Sequence, residues 1–463
     1  MSGAYTFTRE IKMEDTYDVV VAGGGPAGSA AAICAARLGA RVLLIEAMGC
    51  MGGMGTCGLV NAYDPMADGE VMLVGGFMRE LIEALYARGF VAPNAAPDYW
   101  RKDYMRWTPF QGEGLKLLLD EFAVDSGVEI RYFTKVVGAD VDSSKKRLGG
   151  VIINNVEGFS YIPAKTFIDA TGDAALAHMS GAPVRTAGKD TPKIMPATLA
   201  STHAGVDFEI VNTRRLPLDD FIRAIETEHE NGNLTQCDRG GVNMSQIGRY
   251  HGYMNGGHIY NMDATSCREL TDGMIFGRKI VQELIPLYRK YQPGCENMEL
   301  VQTGWLMGVR ESRRIFGEYE LTLEDYMSRK QFPDQIGVYN KFVDIHPYNT
   351  SIEEYRRFRY EMENLNLGRG ECFGMPYGIL VPKGFENLWT AGRCVSSDVS
   401  VQGVIRVMPP AAMMGQAAGT AAVLSIENNR TAQTLDTELL IKTLRAKDAY
   451  LPQDTLSKQM TRS

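Results

Sequence analysis

Two cysteines, Cys50 and Cys57, bracket the stretch Met51-Gly52-Gly53-Met54-Gly55-Thr56. A cysteine pair among glycines is either a redox-active dithiol or a lining where the main chain runs close to a bound group. Other side chains with chemical potential are scattered. His346 stands two positions from Asp344 in FVDIHP, and a histidine suits proton transfer near neutral pH. Arg310, Arg313 and Arg314 fall in GVRESRRIF, where guanidinium groups can hold a carboxylate bidentately. Salt bridges to Glu311, Glu318 and Glu320 are expected to occupy at least two of them, which leaves Arg310 as the functional candidate. Arg406, four positions before Pro410, can orient a substrate oxyanion or carboxylate; its alternative is neutralising Asp398 or a cofactor phosphate. His251 and His258 lie among Tyr250, Tyr253 and Tyr260, a mixture suited to a polar pocket. None of these spacings is a metal motif, and the 8 cysteines form no C-x-x-C pair, so no metal or cluster is expected.

Elements that could position such groups begin near the amino terminus. DVVVA (18–22) reads as a buried strand and runs directly into Gly23-Gly24-Gly25-Pro26-Ala27-Gly28, which satisfies G-x-G-x-x-G. An alanine-rich helix follows, then a second apolar strand, RVLLIE, ending on Glu46. Strand, glycine turn, helix, strand and terminal acid together read as a βαβ unit for an ADP-containing dinucleotide. Gly23 allows the tight turn, Gly25 lets the chain approach a pyrophosphate, and Gly28 lets the helix pack on the strand. Pro26 and Ala27 open the helix whose free N–H groups face the phosphates, and Glu46, with Ala47 beside it, is placed for the adenosine ribose. In the following loop Gly52, Gly53 and Met54 are expected to bring backbone N–H groups to the cofactor, with Thr56 as a hydroxyl donor. Cys57 then lines the pocket.

Two later stretches choose between NAD and FAD. TFIDA (166–170) reads as a strand that leads into Thr171-Gly172-Asp173, and IDATGD resembles the Ala-Thr-Gly motif of two-dinucleotide-binding-domain flavoproteins; NLWTA (387–391) reads as another that leads into Gly392-Arg393, in the place of the second flavin-binding strand of those proteins. Beyond it, Pro409 and Pro410 suit a helix start. Ala411, Gly415 and Gly419 recur every four residues and leave one helix face nearly bare. The start of this helix is expected to face a flavin pyrimidine ring. Ala170, Thr171, Gly172, Gly392, Arg393, Pro410 and Ala411 join the candidate cofactor contacts, with Val136 from the intervening sheet.

On AGGGPAGSAAA (22–32), LLIEAMGCMGGMGT (43–56), IDATGDA (168–174), GVRESRRIFGEYELTLED (308–325), VPKGFENLWTAGRC and IRVMPPAAMMGQAAGTAA, the chain resembles the FAD-dependent oxidoreductases. These are glutathione-reductase-like two-dinucleotide-binding-domain flavoproteins, related to the heterodisulfide reductase flavin subunit and more distantly to fumarate reductase. The resemblance implies FAD and an α/β fold in which a Rossmann-like FAD-binding domain is split by an inserted α+β substrate domain. In the disulfide reductases of that fold the two reactive cysteines are four residues apart; six separate Cys50 from Cys57, which counts against a flavin-coupled dithiol. No second G-x-G-x-x-G unit is found for a dedicated NAD(P)H domain, and the D-G-x-x-S-x-x-R stretch of aromatic hydroxylases is missing.

At 463 residues, with 45% hydrophobic and 22% charged residues, the chain can bury two or three cores. Helices are expected at 75–89 and 112–126, strands with a hairpin over 128–163, and a short amphipathic helix near LDTELLIKTLRAKD. The expected organisation is a first FAD-binding part over 1–190, an inserted substrate domain over 191–370, a second FAD-binding part over 371–430, and a carboxy-terminal helix and tail over 431–463. A net charge of -8 argues against nucleic acid, and no apolar run suggests a membrane span or signal peptide, so a cytoplasmic location is expected. The expected activity is hydride transfer between a small organic substrate, anionic or polyhydroxylated, and flavin N5. Its rivals are an electron-transfer subunit working with a protein redox partner and a non-catalytic flavin-binding protein; homo-oligomers are compatible with all three.

Overall fold

The computed structural model describes residues 3, 5–142, 144, 146–240 and 244–452; the tail expected at LSKQMTRS lies outside them. Among the described residues the central sheet has eight strands. Tyr17–Ala22 is flanked by Val42–Ile45 and by Gly158–Asp169, in parallel register with Val19 opposite both Val42 and Thr166. Glu129–Arg131 extends the parallel sheet beyond Val42–Ile45, and Leu388–Thr390 extends it beyond Gly158–Asp169. Valine, leucine and isoleucine crowd these strands because both faces are covered, as parallel sheets require.

Gly158–Asp169 is 12 residues long and pairs with four strands, Lys12–Met13, Tyr17–Ala22, Arg147–Asn155 and Leu388–Thr390. Its second half completes the parallel sheet. Its first half pairs antiparallel with Arg147–Asn155, which pairs in turn with Lys135–Asp142. The chain leaves the sheet at Asp169 and returns to the same strand's free edge at Leu388, so everything between is an excursion from one nucleotide-binding fold. The expected helices appear as Gly76–Ala87 and Gly112–Asp125.

Within the excursion, Ser201–Ala204, Met244–Gln246, His251–Met254 and Glu299–Thr303 form an antiparallel sheet. With the helices Leu218–Glu230 and Cys267–Tyr291 it encloses its own core around Phe208, Ile225, Met254 and Leu284. Residues after about 320 behave differently. Leu321, Tyr326, Tyr339, Ile345 and Phe373 share the main core with the nucleotide-binding helices. Thr322 and Asp325 form a capping box at the start of Leu323–Met327.

Met408–Glu427 is the longest element of the main core and is buried almost throughout. Its bare face lies against the helix Pro26–Ala36. A Cβ at Gly415 would come within 2.0 Å of the Ala27 carbonyl oxygen, and one at Gly419 within 2.3 Å of that of Ala31. Backbone therefore meets backbone. A Gly415→Ala protein should lose about 1–3 kcal/mol of stability, the usual range for overpacking a rigid core; an unchanged midpoint in urea would contradict this packing.

Candidate active site

The glycine turn is built by contacts that a side chain would block. Gly23 has φ +95° and its Cβ position lies 2.7 Å from the Ala170 carbonyl oxygen, while a Cβ on Gly28 would strike the Gly23 oxygen at 1.7 Å. Gly25 differs: nothing lies within 4 Å of its Cβ position, so the turn opens there onto free space. Pro26 starts the helix, and neither a capping side chain nor an acidic residue occupies its first turn. The helix Met408–Glu427, with Pro409 and Pro410 in its first turn, is likewise uncapped and without acid there. Gly392 brings the two starts together, since its Cβ position lies 3.2 Å from Ala27 Cβ and 3.8 Å from Ala411 Cβ. Two positive helix ends thus converge on one cleft.

Glu46 lies at the edge of that cleft. Its carboxylate accepts hydrogen bonds from the N–H groups of Gly24 (2.6 Å) and Met48 (2.8 Å), and burial pushes its pKa upward against them. Ala47 follows it in the turn. The Thr134 N–H donates to the Glu46 carbonyl, just before the strand Lys135–Asp142 that carries Val136. Gly52 donates its N–H to the Gly24 carbonyl, and Gly53 packs its Cβ position 3.0 Å from Gly25 Cα. Met54 continues this loop, half-buried. Thr56 is buried, and its hydroxyl donates to the Met51 carbonyl at 2.7 Å, inside the loop. Ala170 donates to the Ala22 carbonyl, and the Thr171 hydroxyl donates to Asp169. Arg393 donates to the carbonyls of Gly172 (2.9 Å) and Val309 (2.6 Å) and pairs with Asp173 at 2.6 Å, clamping the turn around Gly172 (φ +77°). The open glycine cradle, the two uncapped helices and the acid at the strand end fit a dinucleotide such as FAD.

A second constellation is polar and buried. Asp344 is its hub: His346 Nε2 lies 3.2 Å from one oxygen, and Lys341 Nζ and Arg406 Nη2 each lie 3.0 Å from the other. Lys341 also faces Asp64 at 3.7 Å. On its other side, His346 Nδ1 is 2.7 Å from His258 Nε2, and His258 Nδ1 is 2.9 Å from Asp238, which also accepts from the Tyr260 hydroxyl. Burial would raise Asp344, but Lys341, His346 and Arg406 hold it well below the usual carboxylate range. His346 is pushed down to about 3 by burial and by the charge of Arg310, with Asp344 opposing. Arg310 is buried and donates to the Pro196 carbonyl (2.8 Å) and the Thr198 hydroxyl (2.7 Å). Burial and the neighbouring Arg406 lower its pKa to about 10. Among the described residues, Arg406 Nε is a buried donor without a hydrogen-bond partner.

Arg310, His346 and Arg406 therefore come together although 96 positions separate the first from the last. Arg406 pairs with Asp344; Asp398 instead caps the helix Val399–Ile405, accepting from the Val401 N–H. The expectation of at least two such pairings is not met: among the described residues only Arg314 pairs with one of the three glutamates, Glu311, and also with Asp190, while Glu320 is taken by Arg185 and Glu318 accepts from the Gly384 N–H. His251 is exposed and outside the cluster. Asp238, Lys341 and Asp64 were not singled out from sequence. Only Lys341, in the same short segment as Asp344 and His346, carried a local signal. The cluster adjoins the converging helix starts: Arg406 ends the helix Val399–Ile405 and stands two residues before the helix Met408–Glu427, whose Met408 sulfur lies 3.1 Å from the Cβ position of Gly55.

Comparison with family models places this geometry in a class. Residues 18–447 match the family described as FAD dependent oxidoreductase, and the chain belongs to that family. FAD is accordingly its cofactor. No curated protein matches the chain. Among solved structures it is similar to a geranylgeranyl bacteriochlorophyll reductase-like protein from Thermoplasma acidophilum, at 14% identity and TM-score 0.49 over 94% of this chain and 85% of that one. A p-nitrophenol 4-monooxygenase from Pseudomonas putida gives 12% identity and TM-score 0.47 over 96% and 92%. Among the described residues no helix is long and apolar enough to cross a membrane, and no group of three or more His, Cys, Asp or Glu could hold a metal ion.

Two outcomes are expected. Glu46→Ala should weaken FAD retention about tenfold or more, the effect of losing hydrogen bonds to a charged group; equilibrium dialysis with FAD checks it. His346 and His203, the latter lowered to about 4 by burial, stay neutral in the folded chain while the unfolded chain takes up protons near pH 6.5. Stability should be full above about pH 6.5 and fall as the pH drops toward the folded values. His203→Asn should flatten this slope between about pH 6.5 and 4 in urea titrations.

Proposed function

We propose that this enzyme transfers a hydride between a small anionic organic substrate and its flavin, with Arg310 and Arg406 attracting the substrate's charge and His346 handling the proton. Residues 191–370 form the substrate side of the site in this reading. Bound FAD supplies the two-electron chemistry at N5. What supports the rest is one observation: two arginines and a neutral histidine converge in a buried cluster beside the cofactor cleft, with one guanidinium nitrogen unpartnered.

Hydrogen-bond counting explains how the histidines would act. The chain Asp238, His258, His346, Asp344 has three links, and each link needs a proton. In this reading His346 Nε2, which faces Asp344, is the position that takes up the proton. Burial, with the charge of Arg310, holds that position weakly basic in the free enzyme. An anion bound beside Arg310 and Arg406 offsets their charge and raises the basicity of His346, so proton uptake is coupled to binding of the right substrate.

Anaerobic bleaching of the flavin by a panel of carboxylates and their neutral amides tests this. Carboxylates should reduce the flavin and the amides should not; His346→Ala should slow reduction about 100-fold or more, and Arg406→Gln should abolish the preference for the anion. Equal rates with amide and acid would reject the arginine role.

A further inference from the structure

The spacing of Cys50 and Cys57 counts against a flavin-coupled dithiol, but the fold brings their sulfurs to 3.3 Å. The loop between them turns back on itself. Gly52 at φ +95° and Gly53 at φ +48° reverse the chain, and the Thr56 hydroxyl, donating to the Met51 carbonyl, locks the reversal from inside. The far end is anchored as well, because the Cys57 carbonyl accepts from the N–H groups of Trp305 (2.8 Å) and Leu306 (3.2 Å). Both cysteines are partly exposed. Among the described residues no metal-holding group of three or more His, Cys, Asp or Glu includes them.

We propose that Cys50 and Cys57 form a reversible thiol–disulfide site that exchanges with low-molecular-weight disulfides. Cys50 is the attacking sulfur and Cys57 the resolving one. The Cys50 thiolate attacks one sulfur of a small disulfide RSSR, forming a mixed disulfide and releasing RS⁻. Cys57 gives up its proton to that thiolate and attacks the Cys50 sulfur, expelling the second RS⁻, which takes the proton first lost by Cys50. Two cysteine thiols become one disulfide, and RSSR becomes two RSH.

The surroundings assign these roles. The hydrogen bond from Cys57, against partial burial, lowers the Cys50 pKa to about 7, with the ammonium group of Lys116 acting in the same direction. Cys57 is raised by the same contact and by burial. An attacking thiol with a pKa near ambient pH reacts fastest in exchange. Elsewhere burial pushes Cys34 and Cys295 up to about 12 and Cys372 up to about 11, which leaves them inert by comparison. The pair also has something to act on. Gly52, inside the loop, is hydrogen-bonded to Gly24 of the phosphate-binding turn, so a bond across Cys50 and Cys57 closes a ring around part of the cofactor cradle.

The test uses the full-length FAD-loaded protein in a Cys267→Ser background, which removes the exposed thiol. It is equilibrated with oxidised and reduced glutathione in varying ratio, alkylated and mapped by mass spectrometry. The expected result is a Cys50–Cys57 cross-linked peptide that forms as the ratio rises and disappears with dithiothreitol. Cys57→Ser should trap a stable glutathione adduct on Cys50, whereas Cys50→Ser should slow modification of Cys57 at least tenfold. Absence of the cross-link in the unsubstituted pair at every ratio, or glutathione addition to Cys57 as fast without Cys50 as with it, overturns the proposal. Loss of visible flavin absorbance in the same samples would bear on the cofactor cradle instead, so the two readings fail separately.

Discussion

Contact of main chain with main chain, where the helix Met408–Glu427 crosses the helix Pro26–Ala36, is the constraint on which this architecture rests. Gly415 and Gly419 face the backbones of Ala27 and Ala31 with no side chain between them. Interior packing at crystal-like density leaves no room for even one added methyl there. The crossing joins segments from opposite ends of the chain and lets both helices start at the same cleft, through the third glycine, Gly392. Each uncapped start carries about half a positive charge. Bringing two of them together is unfavourable without an anion, so the same contact that completes the core creates a place for a diphosphate-bearing cofactor.

The buried polar cluster obeys a related rule. Asp344 gathers a lysine, an arginine and a histidine, and Asp238 holds the far end of the histidine pair. Buried ions persist only with partners, because desolvation otherwise exceeds the attraction. Even so, the pairing is incomplete: Arg406 Nε retains an unused donor. The excursion from the sheet provides this site from both its parts. Asp238 and His258 come from the segment with its own core, and Lys341, Asp344 and His346 from the segment that packs with the nucleotide-binding half. A substrate held here therefore sits where the two cores meet.

Much of the cofactor fold was legible because its signals are local. The strand, glycine turn, helix and Glu46 lie within thirty consecutive residues, and the four-residue recurrence of Ala411, Gly415 and Gly419 announces a bare helix face even though its partner is not named. The strand over 166–170 was legible too, but not its fusion with the preceding ladder strand into one element. The polar cluster was less accessible. His346 was readable beside Asp344, whereas its link to His258 spans 88 positions and that of His258 to Asp238 another 20. No periodicity encodes such pairings. The proximity of the two cysteines was not legible either: six residues lie between them, and two left-handed glycines fold that loop so that the sulfurs meet at 3.3 Å.

The double membership of Gly158–Asp169 has a consequence during synthesis. Its amino-terminal half finds its antiparallel partners at once, from residues already made. The outer edge of its carboxy-terminal half waits for Leu388–Thr390. At a synthesis rate of about 5–20 residues per second, that edge emerges unpaired for roughly 10–40 s on the ribosome. It is apolar and rich in β-forming residues, the kind of strand that recruits foreign partners. The nascent chain thus carries an open template for nearly half of its manufacture, and the last strand to arrive is also the one that seals it.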